Sequence, residues 1–176
     1  MTTQRLGVIM NGVTGRMGLN QHLIRSIIAI RDQGGVKLAN GDRVMPDPIL
    51  VGRDARKVEA LAKRFAVERW TTDLDAALSD KKDAVFFDAA TTQARPGLLT
   101  RAFNAGKHVY CEKPTATNLE EAVAIVKLGN SKGLKHGVKL RGHRKLRSRA
   151  PQLDDLAAHG ERREEVRPLQ RLSLIR

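Results

Sequence analysis

Apolar residues in the first 138 positions follow two alternating rhythms. Short apolar-rich runs stand at "LGVIM" (Leu6–Met10), "ILVGR" (Ile49–Arg53), "VERWTT" (Val67–Thr72), "AVFFDAA" (Ala84–Ala90), "HVYCE" (His108–Glu112) and "LKHGV" (Leu134–Val138). Runs of this length, bounded by turn residues, read as six strands. Between them the spacing becomes helical. In "GRMGLNQHLIRSIIAI" (Gly15–Ile30), Met17, Leu23, Ile24, Ile27 and Ile28 recur at turn spacing and predict one apolar face. Asp54 is placed to cap a second helix, "ARKVEALAKRF", and "LDAAL" predicts a short third. Pro96 suits the first turn of a fourth, which Gly106 ends. Asn118 with Glu121 makes a capping-box-like start for a fifth, "LEEAVAIVKLGNSKG". Asn40–Gly41 predicts a tight hairpin, and Pro46 and Pro48 an extended connection before the second strand.

Strands alternating with helices predict an α/β fold: a Rossmann-type, doubly wound parallel sheet over residues 5–138. Ligands of such sheets sit outside the carboxyl ends of the strands. Candidate chemistry is therefore sought in the turns that follow each strand.

The turn after the first strand is "NGVTGRMG", with Gly12, Gly15 and Gly18 three apart. It lies between a strand and a helix, where a dinucleotide fingerprint must lie. Glycine lets the backbone approach a pyrophosphate, and the free amides and dipole of the helix start favour its charge. Gly12, Thr14, Gly15, Arg16 and Met17 are the cofactor-binding candidates here. The alternative is a glycine-rich turn with no ligand.

The second strand ends in "VGRDARK". A guanidinium at Arg53 suits the 2′-phosphate of NADP, and Arg56 and Lys57 follow one turn on. Asp54 leaves NAD open: aimed at the ribose rather than capping its helix, it would favour NAD. The fifth strand ends in "CEKP". Cys111 reads as a small buried hydrophobe or, less favoured, a nucleophile; His108 falls on the opposite strand face by parity. Glu112–Lys113 reads as a surface ion pair or as groups facing a bound molecule.

Together "GVTGRMG", "ATT" (Ala90–Thr92) and "EKP" (Glu112–Pro114) resemble the NAD(P)-binding half of the glucose–fructose oxidoreductase/inositol 2-dehydrogenase family. The resemblance implies that Glu112, Lys113 and Pro114 line the nicotinamide pocket, with Lys113 catalytically important. It implies that Ala90, Thr91 and Thr92 run beside the cofactor. The parent activity would be hydride transfer between nicotinamide and a hydroxyl carbon of a sugar or cyclitol. The partners expected are a nicotinamide dinucleotide, NADP rather than NAD, and a small polyol or sugar. "GVTGRMG" also resembles the start of dihydrodipicolinate reductase, but the paired-histidine motif of that family is missing. A non-catalytic nucleotide-binding or sensing module is a further alternative.

Composition changes this picture mainly at the end of the chain. Of a net charge of +13, the 38 residues from Lys139 carry 11 Lys+Arg against 5 Asp+Glu, and all six aromatic residues lie at or before Tyr110. A basic stretch without aromatics supports only weak, salt-sensitive contact with phosphate backbones, so nucleic acid is not the expected partner. Residues 139–176 are read as an Arg-rich tail that replaces the family's substrate domain, through truncation or a changed reading frame. The expectations are a flexible tail with a helical turn near Leu153–Ala158, a partly exposed sheet face compatible with a homo-oligomer, and cofactor binding with little turnover, so whether the chain is itself an enzyme stays open. The lone Cys111 excludes a disulfide framework, and no apolar run approaches the ~18 residues of a membrane span. A cytoplasmic location and no metal are expected.

Overall fold

The computed structural model describes residues 1–139. Beyond Lys139, the expectations for the Arg-rich tail lie outside the described residues. Seven strands and five helices make up the described part: β1 (Thr3–Asn11), α1 (π-type winding over Gly18–Ile28, then α-type over Ala29–Asp32), β2 (Val36–Lys37), β3 (Arg43–Val51), α2 (Ala55–Arg64), β4 (Arg69–Thr71), α3 (Leu74–Ser79), β5 (Asp83–Asp88), α4 (Arg95–Asn104), β6 (His108–Glu112), α5 (Leu119–Ser131) and β7 (His136–Lys139).

One sheet joins all the strands. The main order is β4-β3-β1-β5-β6-β7, every pair parallel. With the short antiparallel β2 set aside, this is the doubly wound order 3-2-1-4-5-6 of a Rossmann fold. The order reverses between β1 and β5, so the crevice for a ligand opens at their carboxyl ends.

Strand parity sorts the core into two layers. Ile9, Phe86, Val109 and Cys111 point to one face and pack under Leu99 and Phe103 of α4 and Ile125 of α5. Val8, Met10 and Phe87 point to the other and pack under Leu23 of α1 and Val58 and Ala62 of α2. Both faces of β1 are covered, which explains why Val8, Ile9 and Met10 form an uninterrupted buried run.

Three features depart from the sequence reading. Pro46 and Pro48 lie inside β3 rather than before it. Away from β1, that strand pairs with β2 only at Arg43–Val44 and with β4 only at Ile49–Val51. The prolines sit in the stretch between, where Arg31 donates to the Pro46 carbonyl (2.9 Å) and Arg69 to the Asp47 carbonyl (2.8 Å). A strand bordered there by side chains tolerates lost backbone donors. The Asn40–Gly41 hairpin forms, with Gly41 at φ +89°, but its loop closes through Leu38 and Asp42 rather than as a two-residue turn. In α1 the π winding changes the inward register. His22 and Leu23 are buried, Ile24, Ile27 and Ile28 only half-buried, and Met17 is exposed.

Two helix starts follow the predicted capping: Asp54 accepts from the Lys57 amide (3.2 Å) and Asn118 from Glu121 (2.8 Å). Asp73, which the sequence reading did not single out, caps α3 by accepting from the Ala76 amide (3.0 Å). The Glu121 carboxylate reaches back to Thr117 rather than to Asn118. No helix among the described residues is long and apolar enough to cross a membrane.

Candidate functional site

The carboxyl edge of the sheet opens into a cleft of about 520 Å³ at the reversal point. Its floor is Asn11, Gly12 and Ala89–Thr91, from the ends of β1 and β5; one wall is Gly52 and Arg53 after β3, the other Leu98 and Arg101 of α4.

The glycine turn is shaped by two close approaches. Gly12 has φ +81°, and a Cβ there would lie 2.7 Å from the Ala89 and Ala90 backbone. A Cβ on Gly18 would meet the Gly12 carbonyl oxygen at 2.3 Å, so helix and turn are packed backbone to backbone. Gly15 differs: its Cβ would meet only that carbonyl, at 3.4 Å, leaving the surface open toward the cleft. Unlike α2, α3 and α5, helix α1 has no side-chain cap. An open glycine, an uncapped helix start and a concave cleft fit the pyrophosphate of a dinucleotide.

Arg53 is exposed at the cleft wall, next along the edge from the glycine turn. Asp54 turns away from the cleft to cap α2 and lies 3.6 Å from Lys57 Nζ. Gly52 is set by packing, since a Cβ there would meet Val58 Cγ2 at 2.7 Å.

The loop after β5 is fixed from below. Asp88, fully buried, accepts from Asn11 Nδ2 (2.7 Å), the Ala90 amide (3.3 Å) and Arg95 Nε (2.9 Å). Arg95, equally buried, also donates to the Ala90 carbonyl (2.6 Å) and to the Pro114 carbonyl. One ion pair thus ties together the ends of β1, β5 and β6. Thr91 and Ala90 line the cleft, whereas Thr92 is half-buried beside them, its carbonyl accepting from the Arg95 amide (3.3 Å).

Beyond this loop stand Glu112, Lys113 and Pro114, two strands from the glycine turn, about 10 Å at the usual strand spacing. They do not line the cleft. Glu112 is buried and faces His22 of α1, Oε1 to Nε2 2.5 Å. The reading of Glu112–Lys113 as a surface ion pair is therefore replaced by a bond from Glu112 to the glycine-turn helix; Lys113 is exposed, with no ion pair among the described residues. The Lys113–Pro114 peptide is cis. Cys111 is buried, and burial pushes its thiol up to about 11, the nearby Arg95 opposing. At that value it is protonated at neutral pH and unsuited to attack.

Of the predicted candidates, Gly12, Thr14, Gly15, Arg53, Ala90 and Thr91 share the cleft. Arg16 and Met17 are exposed just before Gly18, where α1 begins, outside the lining of the cleft. Sequence reasoning missed Asn11, Asp88, Arg95, Arg101 and His22. Two left a signal. Asp88 is a carboxylate ending an apolar strand, and Arg95 is a cation at a helix start, where the dipole disfavours it. Among the described residues no group of three or more His, Cys, Asp and Glu is arranged to hold a metal.

Comparison with known proteins bears on the same region. Residues 12–140 match the model of the GFO/IDH/MocA group, described as an oxidoreductase family with an NAD-binding Rossmann fold. A D-xylose dehydrogenase of Paenarthrobacter nicotinovorans is 48% identical over 131 residues, which cover 74% of this chain and 34% of that protein. The structure of a levoglucosan dehydrogenase in complex with NADH and levoglucosan superposes with a TM-score of 0.65 at 26% identity, over 77% of this chain and 35% of that one. A 3-ketoreductase of Actinomadura kijaniata with bound NADP shares the fold at a TM-score of 0.60 and 19% identity, over 78% of this chain and 37% of that one. The chain spans about a third of the length of these relatives.

Proposed function

The chain belongs to the oxidoreductase family with an NAD-binding Rossmann fold, and from that premise we propose that it binds NADP(H) for hydride transfer with a sugar-like hydroxyl substrate. The observation that carries the reading is the order of groups along the carboxyl edge. Arg53 follows β3, the glycine turn follows β1, Ala90–Thr92 follow β5, and Glu112 ends β6 with Lys113 and Pro114 after it, on neighbouring strands of one sheet. An extended dinucleotide laid along this edge would meet a cation at its 2′-phosphate, bare amides at its pyrophosphate and Lys113 at its nicotinamide. The bound nicotinamide would supply the hydride chemistry. Lys113 would donate a hydrogen bond to the substrate oxygen, which a compact ammonium does well.

The preference for NADP rests on Arg53 and Asp54. A guanidinium suits a phosphate dianion through paired N–H donors. Asp54, the group that would favour an unphosphorylated ribose, is engaged with the Lys57 amide and ammonium. Arg53→Ala is expected to weaken NADPH binding by about 1.5–3 kcal/mol, the range for a hydrogen bond to a charged group, and to leave NADH nearly unchanged. Titration calorimetry with both cofactors checks this; equal losses would overturn the assignment. The substrate class draws on the similarity to the D-xylose and levoglucosan dehydrogenases. Because little turnover is expected of this chain, binding tests it: D-xylose or levoglucosan titrated into the NADPH complex should give a saturable calorimetric signal, and failure with every sugar tried would remove that part of the proposal.

A further inference from the structure

We propose that His22 is a positioning residue for the nicotinamide end of the site, acting through Glu112; this rests on the proposed binding of the cofactor along the carboxyl edge. Glu112 closes β6 with its carboxylate buried rather than in solvent. A buried carboxylate needs a partner, because a charge taken out of water without one is strongly disfavoured. The partner is His22 Nε2 at 2.5 Å, presented by the π-wound part of α1. The imidazole also packs against Phe87, with ring centroids 4.3 Å apart and planes tilted by 40°.

The consequence falls on the next two residues. Arg95 holds the Pro114 carbonyl from the other side of the sheet, and its own anchor is Asp88. Lys113 is therefore an exposed side chain between two buried attachments, one to α1 and one to α4. Removing the His22 attachment leaves Glu112 buried without its donor. The carboxylate then turns toward water and carries the backbone of Lys113 with it. The same helix begins at the glycine turn, so His22 also sets the spacing between the pyrophosphate and nicotinamide ends of the cleft.

The test separates the two ends with two ligands. NADPH spans the whole site; adenosine 2′,5′-bisphosphate carries only the adenosine and its phosphates. His22→Phe keeps the ring against Phe87 and deletes the donor, and His22→Gln keeps an N–H donor near Nε2. His22→Phe is expected to bind NADPH about tenfold or more weakly, as for a lost charge-assisted hydrogen bond, and the bisphosphate unchanged, with His22→Gln close to wild type. Equal weakening of both ligands, or no weakening of either, overturns the proposal. A wild-type chain that binds neither overturns the cofactor reading itself, and the proposal with it. If His22→Phe does not fold, the wild-type protein supplies the measurement. The His22 imidazole resonances in a ¹⁵N-histidine-labelled sample should move on adding NADPH and stay put with the bisphosphate; resonances that respond to neither or to both alike would refute the role.

Discussion

Asp88 and Arg95 form an ion pair removed from water at the centre of the carboxyl edge, with side chains 0% and 3% exposed. Taking two charges out of water costs several kcal/mol each, so such a pair adds little net stability. Its effect is geometric: four hydrogen bonds set the loop after β5, and a fifth holds the loop after β6. Cys111 is the neighbouring residue whose chemistry burial decides. Its thiol, ordinarily near 9.0, is pushed up to about 11 by desolvation. The folded state thus keeps a proton that the unfolded chain loses between these two values. The stabilisation is fully present below about pH 9 and is lost as pH rises toward 11. Denaturant midpoints should fall across that window more steeply in the wild type than in Cys111→Ala. Alkylation by iodoacetamide at pH 8 should be about 100-fold slower in the native protein than in denaturant, following the thiolate fraction. Equal rates would show the thiol to be accessible and unperturbed.

At the scale of elements, α2 shows how one carboxylate has two available uses. Asp54 directly follows Arg53 at the cleft wall, yet it accepts from the Lys57 amide and starts the helix. Asp54→Ala should therefore cost about 0.5–2 kcal/mol of folding stability, as for a lost N-cap, while NADPH affinity stays the same. Chemical denaturation and calorimetry on one variant read both quantities. A large loss of affinity with unchanged stability would mean that the side chain serves the ligand instead. Helix α1 is the contrasting element. Its start carries no side-chain cap, and its π winding brings His22 inward beside Phe87. Winding of this kind is rare and concentrates at functional sites.

At the scale of the whole molecule, the proposed cofactor edge crosses four of the seven described strands, so a ligand bound there would be coupled to the fold. A ligand that binds only the folded state stabilises it by about 2.7 kcal/mol at one hundred times its Kd. For a chain of this size that is a rise in Tm of about 5–10 °C, growing with ligand concentration. NADPH should produce this shift in the wild type. Gly12→Ala should abolish it, since φ +81° and a 2.7 Å approach to the Ala89–Ala90 backbone leave no room for a methyl group. A full shift in that variant would place the ligand somewhere other than the glycine turn.

The sequence alone determined the features that local rules control. Six strands and five helices were readable because apolar periodicity, Asp54, Pro96 and Asn118 act within one or two turns of themselves. The alternation of strand and helix then restricted the topology to a parallel, doubly wound sheet. The family's motifs were readable because each is a short contiguous string: Gly12–Gly18, Ala90–Thr92 and Glu112–Pro114. Tertiary structure alone decided the pairings across distance. Asp88 meets Asn11 77 residues away, and His22 meets Glu112 90 residues away, contacts that no periodicity encodes. It also decided that Pro46 and Pro48 fall within a strand, because proline is permitted there only by what borders the strand, a property of the assembled sheet. A cap or a glycine turn is specified by its neighbours in the chain, whereas a buried charge is specified by whichever distant residue arrives to satisfy it.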